Sequence, residues 1–257
     1  MPDERTAGSI GRIGRPLCAA LGFLTRIPVG NDRREPGDLV AAAVLFPLIG
    51  AALGAAVGAA AAGLALALPA LLAGALAVGL ELALTGALHA DGLADSADGL
   101  AGRDRDEALA IMRDHSLGTY GAAALGLDLL VKAAAIGALA ENDAVLPVAA
   151  AFAISRAAPL PLAAALPYAR PGAGTGLLLA ERMSRSGAVT GVALAATLAV
   201  AATGASALAS LACLAVAAGT VGAVSRRRLG GVTGDTMGAS IELTAMLALV
   251  VAVGLQG

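Results

Sequence analysis

Aromatic side chains are scarce: there is no tryptophan, and two tyrosines and three phenylalanines serve a chain of 257 residues. So few rings cannot build the stacking platforms that single-stranded nucleic acids need, nor the aromatic belts of two membrane interfaces. Charge is equally thin. Charged residues make up 14% of the chain, against roughly a quarter in soluble domains. Seventeen basic and nineteen acidic residues leave a net charge of -2. With no basic stripe to hold a phosphate backbone, nucleic acid is excluded as a partner. The two cysteines, Cys18 and Cys213, lie in separate apolar stretches, so they read as small core residues and not as a disulfide or a metal pair. No G-x4-G-K-[ST] phosphate loop occurs.

Apolar surface is abundant instead. Hydrophobic residues make up 58% of the chain, and several apolar runs are long enough to cross a bilayer. The expectation is an all-α, multi-pass membrane bundle of six to seven transmembrane helices, forming one domain over 1–257. The 34 glycines and many alanines let helices approach closely through small faces. Spans are expected over about 39–60, 63–88, 119–140, 144–166, 188–203 and 205–224, with a last one ending near Val253. Pro47 should kink the first, and the fifth and sixth meet near Gly204. Residues 1–38 form a polar and interfacial N-terminal segment. The acids Asp3 and Glu4 and the short run Leu17 to Leu24 argue against a signal peptide. With the N-terminus in the cytoplasm, the loops 89–118, 167–187 and 225–238 are also inside. Together with the N-terminal segment they hold every Lys and Arg except Lys132 and Arg156.

The chemistry gathers in residues 89–99, His-Ala-Asp-Gly-Leu-Ala-Asp-Ser-Ala-Asp-Gly. At about 100° per residue, Asp91, Asp95 and Asp98 share one helical stripe within roughly 60°. Three like charges on one stripe repel unless a cation sits among them, and hard oxygen donors suit Mg²⁺, Mn²⁺ or Ca²⁺. A solvated acidic turn is the competing reading. A second group lies in residues 230–242, Gly-Gly-Val-Thr-Gly-Asp-Thr-Met-Gly-Ala-Ser-Ile-Glu. There Asp235 is either an N-cap or a site residue. Glu242, two turns into an apolar segment, is either functional or half of an ion pair with an arginine. Asp128 and Lys132 are spaced to pair one turn apart. Glu81, within the second span, is left unassigned, with Arg156 as one candidate partner. His89 points away from the stripe and joins the site only where the helix is broken. Arg113, beside Asp114, is a phosphate clamp, and His115 is a surface residue as readily as an acid or base. Arg226 to Arg228 read as anchor charges near anionic lipid. Carboxylates with Mg²⁺ and arginines at a membrane face suit phosphotransfer from a diphosphate.

These motifs, in this order, resemble the adenosylcobinamide-GDP ribazoletransferase (cobalamin synthase) family over nearly the whole chain. The resemblance rests on Arg26-Ile27-Pro28-Val29, Phe46-Pro47-Leu48-Ile49-Gly50, the run from His89 to Gly99, Ile111-Met112-Arg113-Asp114 with Leu117-Gly118 and Gly121, Ser155-Arg156, and the run from Thr233 to Glu242. It implies a Mg²⁺-dependent enzyme of the bacterial inner membrane. The 5′-hydroxyl of α-ribazole, or α-ribazole 5′-phosphate as the alternative acceptor, would join the cobinamide-bound phosphate of adenosylcobinamide-GDP, and GMP would leave. Under it Asp91 and Asp95 bind metal, and Asp98 binds metal or acts as base. Asp235 closes the site, and Arg113 holds phosphate, with Asp114, Thr233, Glu242 and His89 around the substrates. The rival CDP-alcohol phosphotransferases carry D-x2-D-G-x2-A-R, whereas this chain has D-x3-D-x2-D-G without the A-R. A small transporter with an acidic ion path is the other alternative. The oligomeric state is left open, a homo-oligomer included.

Overall fold

The structure, a computed structural model, describes residues 4–29, 36–114, 116–141, 145–170 and 175–255, without the side chains of 4–13, 36–38 and 175. Among the described residues the chain is helical, apart from one bridge between Tyr168 and Val232. The helices are α1 (Glu4–Leu24), α2 (Pro36–Ala43), α3 (Phe46–Ala65), α4 (Ala70–Thr85), α5 (Leu88–Gly99), α6 (Arg105–Ile111), α7 (Thr119–Ala140), α8 (Val145–Ala157), α9 (Pro159–Ala165), α10 (Thr175–Arg182), α11 (Arg185–Thr203), α12 (Ala207–Leu229) and α13 (Gly234–Gly254).

Among the described residues five helical segments are long and apolar enough to cross a membrane, and α4 with α5 would make a sixth were they not bent by 94° at their junction. One of the five, Arg185–Leu229, has 45 residues. At about 1.5 Å per residue that is roughly twice the thickness of a hydrocarbon core. It is a hairpin. A short 3₁₀ turn over Gly204–Ser206 separates α11 from α12. Near the start of α11, Gly191 faces Leu160 of α9, and near the end of α12, Gly222 faces Leu162 of the same short helix. The two legs therefore run antiparallel, which makes six apolar crossings among the described residues, and α4 is a shorter apolar helix of 16 residues beside them. Pro47 departs from expectation: the chain turns at Val44 and Leu45, and Pro47 lies in the first turn of α3, where its missing N–H removes no helical bond.

Small residues set the helix spacing. Gly50, Gly54 and Gly58 recur every four residues along α3 and lie against α8, where a Cβ on Gly54 would come within 2.7 Å of the Phe152 side chain. Between α4 and α7 the fit is reciprocal. A Cβ on Gly74 would overlap the Ala133 carbonyl, and one on Gly137 would overlap the Ala70 carbonyl. Close backbone approach supplies the dispersion contacts that drive association where lipid is as apolar as leucine.

That close packing encloses an ion cluster. Lys132 of α7 is fully buried, 2.7 Å from Glu81 of α4 and 2.7 Å from Glu242 of α13, with Asp128 one turn away at 3.7 Å. Arg156 of α8, also fully buried, donates to Glu81 at 3.2 Å and lies 4.4 Å over the Phe152 ring. Glu81 meets its candidate partner Arg156, whereas Glu242 pairs with a lysine, and Lys132 sits closer to Glu81 and Glu242 than to Asp128. Removing one partner of such a set strands a charge in a medium that cannot solvate it. We expect Lys132→Met to cost about 3–5 kcal/mol in detergent unfolding, and Lys132→Met/Glu242→Gln to recover part of that loss, because the second change removes a stranded charge.

Candidate active site

The site begins where α4 breaks. Gly86 and Ala87 both adopt left-handed backbone, with φ of 65° and 57°. Glycine takes this conformation freely, while at Ala87 it is strained by about 1 kcal/mol or more. Residues 25–27 brace the break. The Arg26 amide donates to the Leu84 carbonyl at 2.7 Å, and the Arg26 side chain occupies the space that a Cβ on Gly86 would need. The Arg-Ile-Pro motif thereby supports the corner from which α5 departs.

Beyond this corner α5 packs against α7 and α13 and carries the three carboxylates. Asp91 is exposed, Asp95 is half-buried, and Asp98 is buried. Asp98 is placed otherwise than expected. Its two oxygens accept the backbone N–H groups of Gly118 and Gly121, each at 2.8 Å, at the start of α7. A Cβ on either glycine would collide with that carboxylate, which is the physical meaning of the Leu-Gly-x-x-Gly pattern. A carboxylate at a helix N-terminus is well placed against the orphan amides and the dipole, so Asp98 anchors α7.

The opposite wall is the start of α13. Thr233 caps it, accepting the Thr236 amide at 3.2 Å, while the Thr236 hydroxyl accepts the Thr233 amide at 2.9 Å. Gly92 lies against the backbone of Asp235, and Gly238 against that of His89, so α5 and the first turns of α13 are in backbone contact. Asp235 accepts a hydrogen bond from Arg170 at 2.6 Å, and Arg170 also reaches the Met112 carbonyl at 3.2 Å. Two more arginines lock the neighbouring loops: Arg105 donates to the carbonyls of Leu229 and Ala169 at 2.8 and 2.6 Å, and Arg228 to that of Leu100 at 3.1 Å. Residues 91–112, 168–170 and 228–235 are thereby joined at one polar face of the bundle.

Of the residues marked in the sequence, Asp91, Asp95, Asp98, Thr233 and Asp235 come together. His89 is buried behind the carboxylates and shares a cavity of about 90 Å³ with Asp91 and Asp235, walled by Phe23 and Phe46, whose rings stack at 5.2 Å. Glu242 belongs to the ion cluster deeper in the bundle. Arg113 and Asp114 are exposed at the rim, where Asp114 accepts the Ser116 amide at 3.0 Å. His115 and most of the turn at 141–143 lie outside the described residues. Arg170 was missed. It stands in a loop of ordinary polar composition, and only the placement of that loop on the same face as Asp235 points to it.

The Asp95 carboxyl is pushed up to about 6, first by burial and then by the charges of Asp91 and Asp235, against the opposing pull of Arg170. Among the described residues no three His, Cys, Asp or Glu side chains converge as a ready ligand set. The donor chemistry of Asp91 and Asp95 nevertheless fits a hard divalent cation, because their crowded negative charge is only partly offset by Arg170. Asp98 fits less well, with both oxygens already bonded. Since the folded chain holds the Asp95 proton more tightly than the unfolded chain, stability falls as pH rises from about 4 to 6. We expect Asp95→Asn to leave the unfolding midpoint unchanged near pH 4 and to raise stability at pH 7 by about 1 kcal/mol after solvent screening.

Comparison with known proteins gives the family. The family described as cobalamin-5-phosphate synthase matches residues 16–253. An adenosylcobinamide-GDP ribazoletransferase of Klebsiella pneumoniae is 39% identical over 237 residues, covering 90% of this chain and 96% of its own. Proteins of the same name from Azorhizobium caulinodans and Chlorobaculum tepidum are 42% and 38% identical, covering 90% and 94% of this chain and 92% and 96% of theirs. No solved structure matches. With likeness across nine-tenths of its length, the chain belongs to the cobalamin-5-phosphate synthase family.

Proposed function

We propose that this protein is an adenosylcobinamide-GDP ribazoletransferase of the bacterial inner membrane, with its active site on the cytoplasmic face. The likeness to proteins of that name over 90% of the chain carries the reading. The geometry supports it: a carboxylate row on α5 faces Asp235 and Arg170 at a polar membrane face. The distribution of Lys and Arg supports the cytoplasmic orientation.

The reaction joins a ribose hydroxyl of the acceptor to the cobinamide-bound phosphorus of adenosylcobinamide-GDP. The bond from that phosphorus to the bridging oxygen breaks, and GMP leaves. An acceptor that already carries a 5′-phosphate has no free 5′-hydroxyl. Attack common to α-ribazole and its 5′-phosphate therefore comes from a secondary ribose hydroxyl, which replaces the 5′-hydroxyl expected from sequence. Asp91 and Asp95 would hold Mg²⁺, which supplies charge neutralisation at the leaving phosphate. Arg170 presents its guanidinium to the donor phosphates while orienting Asp235. Asp235 takes the proton of the attacking hydroxyl. Asp98 positions α7 against α5.

The test is GMP release from adenosylcobinamide-GDP by the purified protein in lipid. We expect release to need both α-ribazole and Mg²⁺. Asp235→Asn should lower kcat by about 10²- to 10⁴-fold with the membrane fold intact. CMP release from a CDP-lipid in place of GMP release would move the chain to the phospholipid enzymes, and silence in both assays would favour the transporter.

A further inference from the structure

A groove of about 830 Å³ runs between α9 and α12. Its walls are leucine, alanine, glycine and proline, except at one end, where Arg226 and Arg227 line it. Ala215, Gly219 and Ala223 recur every four residues along the exposed side of α12, and Arg227 is the next step. The groove is open at Gly219, where a Cβ would meet nothing within 4 Å. Both helices belong to apolar spans, so the groove faces lipid. Arg226 and Arg227 are exposed, and among the described residues they make no hydrogen bond or ion pair. Neighbouring arginines are engaged: Arg105 and Arg170 donate to backbone carbonyls, and Arg228 donates to that of Leu100. Of the three basic residues that the sequence marks for anionic lipid, one is therefore a structural clasp and two stand over the groove.

We infer that the groove holds one anionic phospholipid, with an acyl chain along the small-residue face of α12 and the headgroup phosphate between Arg226 and Arg227. From Leu214 to Ala223 the apolar floor extends for about 14 Å at about 1.5 Å per residue, close to one leaflet of a hydrocarbon core about 30 Å thick. The arginines lie one turn further along and fall at headgroup depth. They stand on the polar face where Arg228 meets the loop after α5. A zwitterionic lipid brings its own cation beside its phosphate and leaves the two guanidinium groups uncompensated, whereas an anionic headgroup neutralises them. A second copy of the chain fits less well. Copies in one membrane share an orientation, so a twofold axis along the membrane normal would set the arginines of one copy against those of the other. The lipid site needs only the membrane-embedded bundle and is independent of the transferase reading.

The test is native mass spectrometry of the full-length protein, carried into detergent from nanodiscs of mixed phosphatidylglycerol and phosphatidylcholine. One phosphatidylglycerol should stay bound to each chain, favoured over phosphatidylcholine by about 30-fold, the effect of two arginines at the lipid surface. Arg226→Gln/Arg227→Gln should cut that preference to within about threefold while an acyl chain is still retained. This double variant changes only exposed side chains, so its result stands by itself. Gly219→Leu, whose side chain enters the open groove, should lower retention of both lipids by about tenfold with helix content unchanged by circular dichroism. A phosphatidylglycerol preference that survives the double arginine variant would overturn the inference, as would unchanged retention in Gly219→Leu. Binding of sn-glycerol 3-phosphate as tight as that of the lipid would overturn it by making the arginines a site for a soluble phosphate. A wild-type dimer that Gly219→Leu splits would overturn it by making the groove an interface between copies.

Discussion

One buried ammonium ties the molecule together. Lys132 lies between Glu81 and Glu242, at 2.7 Å from each, in an interior that offers no water to replace either contact. Its position fixes α4, α7 and α13 at one depth, and Arg156 adds α8 through Glu81. The consequence reaches the candidate site through short lengths of rigid helix. Glu81 stands just before the break at Gly86 and Ala87 from which α5 departs. Glu242 stands two turns below Asp235 on the same helix. A shift at the cluster would therefore move both carboxylate-bearing helices together. Buried ion pairs are weak evidence for net stability but strong constraints on geometry, because every alternative packing strands a charge.

The electrostatic design changes with depth. In the interior, three carboxylates face two cations, and opposite charges meet directly. At the polar face the excess of negative charge is larger: Asp91, Asp95 and Asp235 crowd together with Arg170 as their close cation, and the Asp95 proton affinity rises with it, after the larger effect of burial. Crowded like charge is costly in the folded state and useful for binding a cation or a proton. Several polar groups around the site are met by partners, though the buried Ser96 hydroxyl and His89 Nδ1 are not. Asp98 is bonded at both oxygens, Thr233 and Thr236 cap each other, and three arginines close the loops onto backbone carbonyls.

Much of this was legible in the sequence. Hydropathy marked the bundle as multi-pass, with six to seven spans expected, and α7 covers the expected 119–140. Helical periodicity put the three aspartates on one stripe, and the family motifs marked both walls of the site. Periodicity could not say what each carboxylate meets. Asp98 shares the stripe with Asp95, yet an entirely different segment, the start of α7, lies against it. Asp128 and Lys132 have the spacing of a local pair, but the closer partners of Lys132 come from α4 and α13, because tertiary contacts in a dry interior outcompete an angled neighbour one turn away. Pro47 read as a kink because hydropathy runs through Leu45 without a dip, and a turn made of apolar residues leaves no compositional mark. Arg170 had no signal of its own, since a loop arginine acquires meaning only from the carboxylate that folding brings to it.

The density of the motif on α5 follows from how many surfaces one short helix must serve. Twelve residues present Asp91 and Asp95 to the polar face and Asp98 to the amides of α7. They also present Gly92 to the backbone of α13, and Leu93 and Ala97 to an apolar cavity between α5, α12 and α13. Each face fixes its own residue size. The carboxylates cannot move to the α13 side, because a side chain at Gly92 would meet the Asp235 backbone. Nor can the glycine move to the cavity side without enlarging it. A helix packed on four sides has almost no position free to vary in kind, which is why eleven consecutive residues there carry more functional information than the long apolar spans around them. Those spans need only be apolar and small enough to let the backbones approach.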